Sequence, residues 1–134
     1  MTSAVSLLRS SSLADAPYAY AASVPAGSRL IFMAGACPLR ADGSTAGTGD
    51  HAEQARVCLD NLEQALADAG ARLTDVVSTR VLVVAQTRED LVTAWSVVSE
   101  RFGAHDVPST LVGVSLLGYA DQLVEIEAVA AVVD

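Results

Sequence analysis

Positive charge is scarce in this chain. Eight Lys and Arg stand against sixteen Asp and Glu, for a net charge of −8, and the basic residues are scattered without forming a patch. Phosphate recognition relies on clustered cations. At 4% aromatic content there is also too little material for a base-stacking platform. Nucleic acid is therefore excluded as an expected partner. No window approaches the roughly 20 uninterrupted apolar residues that a membrane span needs, so no membrane partner is expected either. The opening MTSAVSLLRSSSLADAP has one Arg and a broken apolar run, without the long apolar region of a signal peptide. It reads as the start of a cytoplasmic protein, with residues 1–16 loosely structured or lying at an edge. Two cysteines, Cys37 and Cys58, are too few for a disulfide framework and too far apart for a metal knuckle. With His51 and His105 the only histidines, no metal site is expected.

Charged residues are likewise few, 18% against 51% hydrophobic. A single domain of 134 residues has room for a real core, yet this balance is apolar for a small soluble protein. A subunit interface is the simplest place to hide the excess.

Local patterns give the element order. Tyr18–Ser23 and Arg29–Ala34, separated by VPAG, read as a β-hairpin, and a Gly-, Ser- and Asp-rich loop follows to Asp50. From there the spacing becomes 3.6, with Ala55, Cys58, Leu59, Leu62, Leu66 and Ala69 on one stripe. Asp50 with Glu53 suggests a capping box, and Gly70 a stop. Val76–Ala85 is rich in β-branched residues and reads as a central strand. Thr87–Phe102 is a second helix with Leu91, Ala94, Trp95, Val98 and Phe102 as its stripe and Gly103 after it. Ser109–Ser115 and Leu123–Val132 are further strands. The order ββαβαββ implies an α+β sandwich with two helices on one face of a mixed sheet. The opposite face, still apolar, is expected to meet another subunit.

The segments PYAYA, LIFMAGACP, EQARVCLDNLEQALADAGARLTDVVSTRVLV and LVEIEAVAAV together resemble the Rid family, also called YjgF/YER057c/UK114, from about Tyr18 to Val132. The resemblance implies one chorismate-mutase-like domain over 1–134, a homotrimer whose sheets form a central barrel, and small-molecule clefts between subunits. It also implies hydrolysis of reactive imines or enamines, as by 2-iminobutanoate/2-iminopropanoate deaminases, with no cofactor and no metal. In the active deaminases an arginine at the start of the penultimate strand clamps the substrate carboxylate, because a guanidinium matches a carboxylate bidentately. Aligned on TLVGV, that position is Ser109 here, a loss of about 1.5–3 kcal/mol of charge-assisted binding. Three further cleft positions depart from the family pattern, as Ala34, Trp95 and Leu111. Tyr18, Gly35 and Glu125 keep it.

Glu125 is the expected catalytic group, positioned to orient or deprotonate a water. Glu127, two residues on, shares its face, and both acids have Arg80 and Arg29 as candidate ion-pair partners. Arg80 is also a candidate replacement for the clamp. Cys37, beside Gly35, is read as lining the pocket, and Trp95 as core or as the residue that makes the cleft apolar. A substituted clamp leaves the enzyme assignment open between deaminase-like hydrolysis, a specialised enzyme for a substrate without a carboxylate, and a non-catalytic ligand-binding trimer.

Overall fold

The computed structural model describes residues 3–134. Both expected helices form, and their ends show why they start and stop where they do. Asp50 caps α1 (His51–Asp68), its carboxylate accepting from the Glu53 amide at 3.0 Å. That satisfies one of the amides a first helical turn leaves unpartnered. The Glu53 carboxylate turns instead to Arg56 at 3.3 Å. Gly70, at φ +84°, takes the left-handed conformation that ends the helix at little steric cost. Thr87 caps α2 (Arg88–Phe102) through the Asp90 amide at 3.3 Å. Glu89 and Asp90 place negative charge at the positive end of its dipole.

Strands β3 (Arg29–Phe32), β4 (Val76–Val84), β5 (Ser109–Val114) and β6 (Val124–Val132) form one sheet in the order β3-β6-β4-β5. β4 and β5 run parallel, as a connection through α2 requires, and the other pairs are antiparallel. The expected hairpin of Tyr18–Ser23 with Arg29–Ala34 does not form. VPAG does turn, with the Ser28 amide donating to the Pro25 carbonyl at 3.2 Å, but its two arms enter different sheets. β2 (Ala21–Ser23) pairs with β1 (Ser6–Leu8), while β3 pairs with β6. A nine-residue strand with an apolar inner face offers β3 more than three residues of β2 can.

The sheet is two-faced because side chains alternate along each strand. Val124, Ile126, Ala128 and Ala130 of β6 and Val81 and Val83 of β4 are buried, in one core with Leu59, Leu62 and Leu66 of α1 and Ala94, Val98 and Phe102 of α2. The opposite face carries no helix. Phe32 is 75% exposed and Leu30 51% exposed, next to Val129 and Ala131 across the β3–β6 register. Among the described residues no helix is long and apolar enough to cross a membrane.

Candidate functional site

Glu125 lies on the uncovered face of β6, and the chain places three groups around it. Its Oε1 accepts from the Cys37 thiol at 3.3 Å and from Gln122 Nε2 at 3.2 Å. Its Oε2 lies over Gly35, where a Cβ would sit only 2.3 Å away. Glycine is required there for close approach. The Gly35–Cys37 segment is held down twice: Ala36 bridges Ile126 through two backbone hydrogen bonds of 2.7 and 3.0 Å, and Asn61 Nδ2 donates to the carbonyls of Cys37 and Leu39 at 2.8 and 2.9 Å. On the other side, buried Gln54 donates to Gly47 and Asp121 carbonyls and accepts from the Leu123 amide at 2.7 Å, fixing where β6 begins. One carboxylate oxygen is thus engaged by two donors. The other is left to receive a proton or orient a water.

Cys37 serves as a donor here. Burial first, and then its hydrogen bond to Glu125, push the thiol up to about 11, so it stays protonated and weakly nucleophilic through neutral pH. Iodoacetamide modification of Cys37, followed by peptide mass spectrometry, is expected to stay slow at about pH 9 and to rise roughly tenfold per unit toward pH 11. A plateau near pH 8.5, the range of an ordinary thiol, would contradict the assignment. Cys58 is fully buried, and burial pushes its thiol up as well.

A second group gathers at the β5 edge. The Tyr18 ring meets Trp95 edge-on, with centroids 6.4 Å apart and planes at 85°, a favourable arrangement of ring quadrupoles. With Pro17, Ser109, Thr110 and Leu111 they line an open cavity of about 500 Å³. The Thr79 hydroxyl donates to Ser109 Oγ at 2.7 Å, which leaves the Ser109 proton free to donate onward. An adjoining cavity of about 340 Å³ shares Tyr18, Ser109 and Thr110 and adds Ser78, Thr79 and Arg80.

Among the described residues, neither cavity at the β5 edge is lined by Gly35, Cys37 or Glu125. Glu125, Gly35 and Cys37 sit together at one place, and Tyr18, Trp95, Ser109 and Leu111 at another. Ala34 is exposed just before Gly35. Arg80 lines the smaller cavity and lies 3.6 Å from Glu127, whereas Arg29 pairs with Asp134 at 3.1 Å and with neither of the expected glutamates. His51 and His105 are partly buried and tie to the β4 carbonyls of Val84 and Val76, each at 2.8 Å. Among the described residues no three His, Cys, Asp or Glu gather to hold a metal ion. The chain contains no lysine, so a lysine Schiff base is not open to it. Gln122, Gln54 and Asn61 were not singled out from sequence. No local pattern marks an amide whose partners are set by the folded chain.

Residues 10–132 match the family described as endoribonuclease L-PSP. A RutC family protein of Pyrococcus abyssi is 35% identical over 114 residues, 85% of each chain. A Rid-family protein of Yersinia pestis, itself of unknown function, superposes with a TM-score of 0.87 at 27% identity, covering 96% of this chain and 99% of that one. A YjgF/YER057c/UK114 protein of Mycobacterium tuberculosis gives 0.66 at 31%, with coverage of 96% and 99%. Escherichia coli TdcF with bound serine gives 0.67 at 27%, over 90% and 91%. With a match running nearly end to end and the same two helices on the same mixed sheet, the chain belongs to the endoribonuclease L-PSP family, the group also known as Rid or YjgF/YER057c/UK114.

Proposed function

We propose that this chain assembles as a homotrimer through its uncovered sheet face. Each cleft then joins the β5 edge of one subunit to the Glu125 corner of the next and hydrolyses a small reactive imine, enamine or related carbonyl compound. The observation that carries this reading is the separation described above. The residues of an expected single cleft fall into two groups in one chain, with Gly35, Cys37 and Glu125 lining neither cavity at the β5 edge, beside an uncovered sheet face whose exposed Leu30 and Phe32 a second copy would cover.

The chemistry needs little more than a positioned water and one carboxylate. Glu125 Oε2 takes a proton from water as its oxygen bonds to the C=N carbon. Nitrogen takes up a proton, giving a carbinolamine. The C–N bond then breaks, ammonia leaves with the second proton transferred to it, and the carbonyl forms. Tyr18 and the Ser109 hydroxyl offer neutral donors at the opposite side of the cleft. A second reading, ligand binding without turnover, is favoured by the uncharged Ser109 at the clamp position and the apolar Trp95 and Leu111 beside it.

The test is ammonia release from freshly generated 2-iminopropanoate and 2-iminobutanoate. Wild type is expected to be slow, since no charge stands at position 109. Ser109→Arg is expected to gain about tenfold or more, from restoring a charge-assisted pair, and adding Glu125→Ala is expected to abolish the gain. Silence of both wild type and Ser109→Arg, with saturable ligand binding intact, would favour the binding module.

A further inference from the structure

We propose that Gln122 is a positioning residue for Glu125. Its side-chain amide ties Oε1 to the Tyr119–Gln122 turn, and Oε2 is thereby the oxygen offered to the reacting water. This rests on the hydrolytic reading above and adds to it the residue that selects the working oxygen. Gln122 is buried just ahead of β6. Its Oε1 accepts from the Tyr119 amide at 3.0 Å, while Nε2 donates to the Val124 carbonyl at 3.1 Å and to Glu125 Oε1 at 3.2 Å. The Tyr119 amide can only donate, so it fixes which end of the side chain is oxygen. A flipped amide would set its oxygen against a carbonyl and a carboxylate, and its nitrogen against an N–H.

The turn that carries Gln122 is itself held. The Gln122 backbone amide donates to the Tyr119 carbonyl at 3.2 Å. Asp121 takes a left-handed φ of +61°, which Asp tolerates better than most residues. Two side chains from outside grip the turn: Thr45 Oγ1 donates to the Ala120 carbonyl and Gln54 Nε2 to the Asp121 carbonyl, each at 2.8 Å. A buried and satisfied amide on an anchored turn is rigid, and it passes that rigidity to the carboxylate. Both donors, Gln122 and Cys37, meet at Oε1, and Oε2 lies over Gly35. With Cys37 alone, a weak thiol donor, the carboxylate is free to turn about its terminal bond.

Ammonia release in the Ser109→Arg parent tests this with two variants. Gln122→Met keeps the length and loses the donor, and Gln122→Glu keeps the shape and puts a titrating oxygen in place of the nitrogen. Gln122→Met is expected to lower kcat and kcat/KM together by about tenfold to a hundredfold, with KM unchanged. In Gln122→Glu two carboxyls face one another and share one proton at about pH 6. The new carboxyl then donates to Glu125 as the amide did, and turnover is expected close to the parent's. By about pH 9 both are ionised, the donor is gone, and the ratio to the parent is expected to fall at least about tenfold. The surrounding groups do not titrate in that window. Burial holds the Cys37 thiol up at about 11 and raises Cys58 as well, Glu127 is paired with Arg80, and Asp121 is exposed. Helical circular dichroism marks a variant that has not folded, and the other then decides. With Glu125→Ala inactive, a parent-like kcat in Gln122→Met, or a Gln122→Glu ratio that stays flat with pH, overturns the positioning role and leaves the hydrolytic reading standing. Parent-like activity in Glu125→Ala, or silence of the parent, overturns both.

Discussion

Gly35→Ala is expected to lower turnover as far as Glu125→Ala does while the protein stays folded. The added methyl would meet Glu125 Oε2 at 2.3 Å and Cδ at 2.7 Å, so the carboxylate must swing out of its place over the Gly35 backbone. The obstacle is the far end of a flexible side chain, and Gly35 is not in the left-handed region. Folding therefore loses little, and the reduced backbone freedom of alanine in the unfolded chain offsets part of it. Catalysis loses its positioned carboxylate. Removing a general base typically costs about 10²–10⁴ in rate, or roughly 3–5.5 kcal/mol of barrier. Measured in the Ser109→Arg background, ammonia release should drop by about that factor with a thermal midpoint within a few degrees of the parent. Full activity in Gly35→Ala would show that the Oε2 position over Gly35 is not used.

The second large effect concerns the bare sheet face. Phe32→Asp is expected to leave the helical circular dichroism unchanged and to abolish assembly, and with it all ligand binding at the β5 edge. Phe32 points away from the core and is 75% exposed in the single chain, so its loss removes little from the fold. Covered by a neighbouring copy, a phenylalanine contributes about 1.5–3 kcal/mol relative to exposure. An aspartate in its place must instead be desolvated without a partner, which costs several kcal/mol more. Each of three copies would carry that penalty. A Phe32→Asp protein that assembled and bound ligand like wild type would place the interface elsewhere.

Much of this molecule was legible in its sequence, for reasons that differ by element. The helices announce themselves because a buried stripe at 3.6 spacing and a capped end are both local properties. Asp50, Gly70, Thr87 and Gly103 mark the ends of α1 and α2. Strand pairing is not local. VPAG says that the chain turns, but not that Ala22 pairs with Leu7 while Ile31 pairs with Ala130, about a hundred residues away. The period of two placed Glu125 and Glu127 on one face correctly, with Glu125 against Cys37 and Gln122 and Glu127 beside Arg80. It carried no information about the amides of Gln54, Asn61 and Gln122. Gln54 and Asn61 act on carbonyls that only the folded loops bring near, and Gln122 on the Glu125 carboxylate and the Val124 carbonyl. Nor does a sequence say which candidate site residues come together within one chain: Trp95 and Glu125 were grouped together, yet Trp95 lines the cavity at the β5 edge and Glu125 does not.

The mass of the wild-type particle is the measurement to make first, by sedimentation equilibrium at about neutral pH. Three chains of 13.8 kDa each are the expected result. They would bring the Glu125 corner of one copy to the Tyr18–Trp95 edge of another. A monomer of 13.8 kDa persisting at high concentration would contradict the shared cleft, which requires a second copy.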